Sequence, residues 1–137
     1  MKSLIEKIIR LRNPAFSFDP ALNTTMLLQS VLTHFMSLIR SMKMIFKGRR
    51  SKGMLLGRNV RFQYTGKIQW GKFLRLGDQV FISALGKSGI RFGNNVSIGA
   101  FSRVVVSTSM NHIGEGIELG NNVGIGEFAY LGGGGGL

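Results

Sequence analysis

The chain has 137 residues, with 18 Lys or Arg against 6 Asp or Glu, two histidines and no cysteine, for a formal net charge of +12. It therefore forms no disulfide, thiolate nucleophile or Cys-ligated zinc site, and its scattered acids give no readable paired-carboxylate or Ser/His/Asp arrangement. So basic a balance points to an anionic partner, and residues 1–53 hold ten of the bases and two of the acids, which is +8 of the total.

In chain order, Lys2 to Arg12 sets Leu4, Ile5, Ile8, Ile9 and Leu11 among Lys7, Arg10 and Arg12, the pattern of a short amphipathic helix. Asn13-Pro14 separates it from a second helix, for which Asp19-Pro20 reads as an N-cap followed by a first-turn proline. Beyond Pro20, Leu28, Val31, Leu32, Phe35, Leu38, Ile39, Met42, Ile45 and Phe46 recur at helical spacing, with Ser30, Thr33, Ser37 and Ser41 facing the other way. A basic run, Lys47-Gly48-Arg49-Arg50-Ser51-Lys52, closes the segment.

Two readings of this arm stand side by side. It caps the first open coil of the region after Gly53 and buries its apolar face there, or it caps and also touches an anionic membrane peripherally. A membrane-spanning role is disfavoured, since the stretch Met26 to Phe46 contains Gln29, His34, Arg40 and Lys43. Glu6, Lys7, Arg10 and Arg12 break any signal-peptide core, so the expected compartment is the cytoplasm, at the inner face of the membrane on the second reading. Nucleic acid is not the expected partner, because no base-reading motif is present and the phenylalanines fall mostly at helix-core or repeat positions.

Only two of the twenty glycines lie in residues 1–53, which places a boundary near Gly53 between a basic helical arm (1–53) and a repetitive region (54–137). There the same phrase occurs four times: Leu56-Gly57-Arg58-Asn59-Val60, Leu76-Gly77-Asp78-Gln79-Val80, Phe92-Gly93-Asn94-Asn95-Val96 and Leu119-Gly120-Asn121-Asn122-Val123. Each joins a bulky apolar residue to a glycine, two residues that tolerate tight or left-handed turns, and a valine. Apolar residues then continue at alternate positions, Val60 and Phe62, Val80 and Ile82, Val96 and Ile98, Val123 and Ile125, which is strand periodicity. Aligning 92–104 on 119–131 matches seven of thirteen positions.

A period of six runs through the later copies, at Phe92, Ile98 and Val104 and at Leu119, Ile125, Leu131 and Leu137. A unit of six is one short strand and a bend, too small to bury its own side chain, so it must stack on a copy of itself. Three units make a triangular coil of about eighteen residues. The phrases begin 20, 16 and 27 residues apart, which reads as such coils with insertions and deletions, irregular over 62–73 and 83–89 and about four and a half in number. Gly132 to Gly136 lacks the Lys-Ser/Thr of a phosphate loop and reads as tight positions at a corner or at a close approach of another chain.

On these units, residues 54–137 resemble the hexapeptide-repeat acyltransferases. The resemblance implies a β-solenoid, a left-handed parallel β-helix of hexapeptide repeats preceded by N-terminal α-helices, usually trimeric and an exception to the right-handed crossover rule. It further implies transfer of an acyl group from acetyl-CoA or another acyl-CoA, as co-substrate rather than bound cofactor, to a sugar of a cell-surface polysaccharide or its precursor. An amine or serine acceptor and a non-catalytic scaffold are the alternatives.

In that family the general base is a histidine on a loop projecting from a coil, and acyl-CoA lies between subunits. His112, in Ser107-Thr108-Ser109-Met110-Asn111-His112 within the longest interval, fits that description, with Glu115 as a residue that could orient the ring. The plain alternative is an exposed loop histidine. His34, on the polar side of the helix, is the poorer candidate, and Arg103 and Lys87, placed near coil corners, are candidates for CoA phosphates or simply solvated cations. No metal ligands are expected. Because a further coil is due where Gly136-Leu137 stands and no polar cap follows, the chain is expected to be an amino-terminal fragment whose catalytic histidine can lie beyond Leu137.

Overall fold

A computed structural model describes residues 2–11, 21, 23–46 and 50–137. Asn13-Pro14, Asp19-Pro20 and Lys47-Gly48-Arg49 lie outside the described residues. Contacts divide the chain into two compact units, Met1–Met36 and Ser37–Leu137.

Helix α1 spans Lys2–Arg10, its Glu6 paired with Arg10 one turn on. Helix α2 spans Thr24–Ser41 and starts at Asn23, whose side-chain Oδ1 accepts the Met26 N–H at 2.9 Å while its carbonyl accepts the Leu27 N–H at 3.1 Å. The second predicted helix does not run unbroken to Phe46. The Met42 N–H reaches back only to the Ile39 carbonyl, at 3.0 Å, and a separate turn of helix, α3, covers Lys43–Phe46.

The apolar stripe of α2 is not buried as one of the two readings expected. Leu28, Val31, Leu32, Phe35, Leu38 and Ile39 are between 39% and 62% exposed. Leu27, at the border of the stripe one turn before Val31, and Ser41 are each 2% exposed; on the polar side His34, Ser37 and Arg40 are half-buried while Ser30 and Thr33 are exposed. The cause lies at the helix end. Arg40 Nη1 donates to the Leu56 carbonyl at 3.0 Å, Lys43 Nζ donates to the Val60 carbonyl at 2.7 Å, and Met44 enters the core fully buried. Those three anchors fix which side of the chain at the end of α2 meets the first strands, and Leu38 and Ile39, 43% exposed, are not on it.

From Leu55 the chain is built of short strands: β1 (Leu55–Leu56), β2 (Arg61–Gln63), β3 (Ile68–Trp70), β4 (Arg75–Leu76), β5 (Phe81–Ser83), β6 (Gly86–Phe92), β7 (Ser97–Ile98), β8 (Arg103–Val105), β9 (Gly114–Leu119), β10 (Gly124–Ile125) and β11 (Tyr130–Gly132). They form three parallel sheets, ordered β1-β4-β7-β10, β2-β5-β8-β11 and β3-β6-β9, which the chain visits in turn so that each circuit adds one strand to each. Backbone bonds continue the third sheet along the glycine run. The Gly116 N–H reaches the Gly133 carbonyl at 3.2 Å and the Leu137 N–H reaches the Gly116 carbonyl at 3.0 Å. That makes about four circuits, fewer than the four and a half expected, because each takes more than eighteen residues.

Register lines up the apolar side chains across rungs. Leu56, Leu76, Ile98 and Ile125 stand over one another in the first sheet, Phe62, Ile82, Val104 and Leu131 in the second, and Trp70, Phe92 and Leu119 in the third. Phe92, Ile98 and Val104 are at most 2% exposed, and Leu119, Ile125 and Leu131 pack half-buried against them, so side chains six apart share one interior. Removing such a side chain from water is worth roughly 1.5–3 kcal/mol.

The four phrases occupy two different corners. Those beginning at Leu56 and Leu76 join the first sheet to the second, whereas those at Phe92 and Leu119 join the third back to the first. The interval of 16 is therefore not a shortened coil. Equivalent positions Leu56, Leu76, Ile98 and Ile125 lie 20, 22 and 27 residues apart. Both corners bend in the same way, with the fourth residue of the phrase left-handed: Asn59 (φ 53°), Gln79 (φ 59°), Asn95 (φ 62°) and Asn122 (φ 59°). The third residue bonds to the adjacent rung, Arg58 N–H to Asp78 Oδ1 at 2.8 Å and Asn94 N–H to Asn121 Oδ1 at 2.8 Å. The glycine leaves room for that contact, since a Cβ on Gly93 would lie 2.5 Å from Asn121 Oδ1. The irregular stretches correspond to a 3₁₀ turn at Thr65–Lys67 after left-handed Tyr64 and to a register shift in β6 between Gly86 and Gly89.

Candidate functional site

The third circuit is lengthened at one place, the loop of residues 106–113 between β8 and β9, where the second circuit passes from β5 to β6 through Ala84 and Leu85 alone. This is the insertion read from the long interval, and His112 is on it. Ser107 organises the loop: its Oγ lies 2.9 Å from the His112 carbonyl and 3.2 Å from the Ser109 carbonyl and accepts the Ser109 N–H at 3.2 Å. The backbone at His112 is thus held, while its ring is exposed and has no hydrogen-bond partner among the described residues.

Glu115 does not orient that ring. Its Oε1 lies 3.1 Å from Lys87 Nζ, an exposed pair bridging β6 and β9, worth at most about 1 kcal/mol. Lys87 and Arg103 are on strands rather than at corners. Arg103 places its guanidinium carbon 4.5 Å from the Phe81 ring centroid, with that of Arg61 at 5.1 Å from the same ring, so one aromatic ring takes a cation from the rung on either side. His34 is tied locally, its Nδ1 2.8 Å from the Ser30 carbonyl as an Nδ1–H tautomer would require. Among the described residues no three of His, Asp and Glu come together as metal ligands.

A feature not read from the sequence is a groove on the third sheet, about 460 Å³ in volume and bordered by Arg50, Lys52, Gln69, Trp70 and Arg91. Trp70 is its floor, 5% exposed, with Nε1–H donating to the Arg50 carbonyl at 3.1 Å and its own carbonyl accepting Lys52 Nζ at 3.1 Å. These bonds hold the chain entering the first circuit against the sheet, so that Arg50 and Lys52 border the groove together with Arg91. An anionic group of phosphate or carboxylate type is the chemistry such a rim accepts. Arg91 also faces Glu118, 4.0 Å away on the next rung. The available signal was the spacing of Trp70 and Phe92, which stand in register like Phe92 and Leu119; matching the phrase at Phe92 to that at Leu76 hid it.

The chain matches no protein-family model, no curated protein and no solved structure.

Proposed function

We propose that this chain is an acyl-CoA-dependent acyltransferase built on a left-handed parallel β-helix of hexapeptide repeats, working as a homotrimer and acetylating a hydroxyl of a sugar. The observation that carries the reading is the threefold stack: three parallel sheets visited in turn, with side chains six apart in one interior. The lengthened loop at the third circuit supports the placing of a base, and the cationic groove supports an anionic co-substrate or acceptor.

On this reading the His112 imidazole removes the proton from the acceptor hydroxyl as its oxygen attacks the thioester carbonyl. The carbon–sulfur bond then breaks and the thiolate takes the proton back from the imidazolium, so no net acid or base is consumed. Acetyl-CoA supplies the activated acyl group. An exposed ring gains orientation from a neighbouring subunit or from the substrate, as the resemblance to intersubunit sites implies.

The test is thiol release from acetyl-CoA with a panel of sugars. His112→Ala is expected to lower turnover about 10²–10⁴-fold with the circular dichroism unchanged. Unchanged turnover removes His112 from the chemistry. The second reading, a non-catalytic scaffold, is favoured by the pairing of Glu115 with Lys87 in place of the histidine. It would be adopted if the folded wild type neither binds acetyl-CoA nor releases thiol.

A further inference from the structure

We infer that the outward face of α2 docks on an anionic lipid surface. This face is apolar along the helix from Leu28 to Ile39 and is exposed throughout, between 39% and 62% at Leu28, Val31, Leu32, Phe35, Leu38 and Ile39, where a soluble helix ordinarily buries such a stripe. On α1, Leu4 and Ile8, with Leu11 just beyond it, are likewise 63%, 59% and 81% exposed. Single exposed apolar residues need no explanation, but a contiguous stripe of them does.

Charge selects the occupant. No Lys, Arg, Asp or Glu occurs from residue 21 to residue 39, while bases stand on both sides of that stretch, at Lys2, Lys7, Arg10 and Arg12 before it and from Arg40 to Lys52 after it. An uncharged apolar stripe in an arm whose formal charge is +8 matches a headgroup layer, with side chains in the acyl boundary and the arm's field drawing the anionic phosphates; Arg40, Lys43 and Lys52, bonded to the Leu56, Val60 and Trp70 carbonyls, contribute to that field rather than to direct contacts. A second copy of the chain would bring its own +8 against the same charge and meet repulsion. No described helix is long and apolar enough to cross a membrane, so the mode is surface-lying. At 18 residues, α2 extends about 27 Å along that surface.

The proposal stands apart from the transferase reading, since its experiment measures lipid binding alone. The full chain is floated with phosphatidylcholine vesicles and with vesicles in which phosphatidylglycerol replaces about one third of the lipid. Affinity for the anionic vesicles is expected to exceed that for the neutral ones by about tenfold or more and to fall in high salt. Leu32→Ser combined with Phe35→Ser should lower it by a further tenfold or so, with helicity and oligomeric state unchanged. Equal binding to both vesicle types, absence of binding, or indifference to the double substitution would overturn it. A drop in oligomeric mass of the double variant without lipid would give the face to a second copy instead.

Discussion

Strands and helix handle the same residue types in opposite ways. In the stacked sheets, Leu76, Ile82, Phe92 and Ile98 each lie inside and are at most 2% exposed, while in α2 Leu28, Leu32 and Phe35 are more than half exposed. Both patterns are regular, one of period six and one of period 3.6, and both look equally like core when only spacing is considered. Period tells which side chains share a face; what the face meets is decided by anchors elsewhere. In the sheets those anchors are the neighbouring rungs, whose parallel bonding leaves one interior. For α2 they are Arg40 in its last turn and Lys43 and Met44 in α3 just after it, all drawn to the first circuit.

The largest expected difference lies between these two sets. Ile98→Ala should cost about 2–5 kcal/mol in a urea unfolding curve, because its site is closed by rungs on both sides, whereas Leu32→Ala should fall within about 0.5 kcal/mol of wild type. Equal costs would mean that the α2 stripe is a core face after all. A smaller contrast is expected within the sheets themselves. Gly93→Ala forces a Cβ against the backbone and side chain of the next rung and should cost about 1–3 kcal/mol; Gly126→Ala, with nothing within 4 Å of the new atom, should change the midpoint little. Comparable losses at both would show that the glycines serve the turn and not the spacing of rungs. Smallest is Asn23→Ala, which removes the side-chain acceptor for the Met26 N–H and should weaken α2 by about 1 kcal/mol, read as lost helicity on heating with the strand signal unaffected.

Much of the stack was legible in the sequence, and the reasons are local. A bend that needs a left-handed residue selects Asn or a neighbour tolerant of it, so Asn59, Asn95 and Asn122 announce corners. An interior shared by successive rungs selects Phe92, Ile98 and Val104 at a period of six. Which corner each phrase makes was not legible, because two bends of one geometry require the same letters and only strand pairing tells them apart. The start of α2 was read at Asp19-Pro20, whereas Asn23, a residue type that caps as well as Asp and was not singled out, holds its first turn. At the candidate site, the loop carrying His112 was marked by length alone. Glu115 follows it closely in sequence, yet its side chain lies toward β6, where Lys87 stands one rung away. The groove was hidden because Arg50 reaches it through its backbone, an interaction no residue pattern encodes.

The loop of residues 106–113 leaves the ladder on each side of it intact: the Val106 N–H still meets the Ser83 carbonyl at 3.1 Å and the Glu115 N–H the Gly134 carbonyl at 3.2 Å. Extra chain can thus be let out at a vertex, like slack in a wound spool, while the windings above and below keep their places. Such a framework separates the evolution of reach and chemistry at its edges from the preservation of its shape, since neither has to wait upon the other.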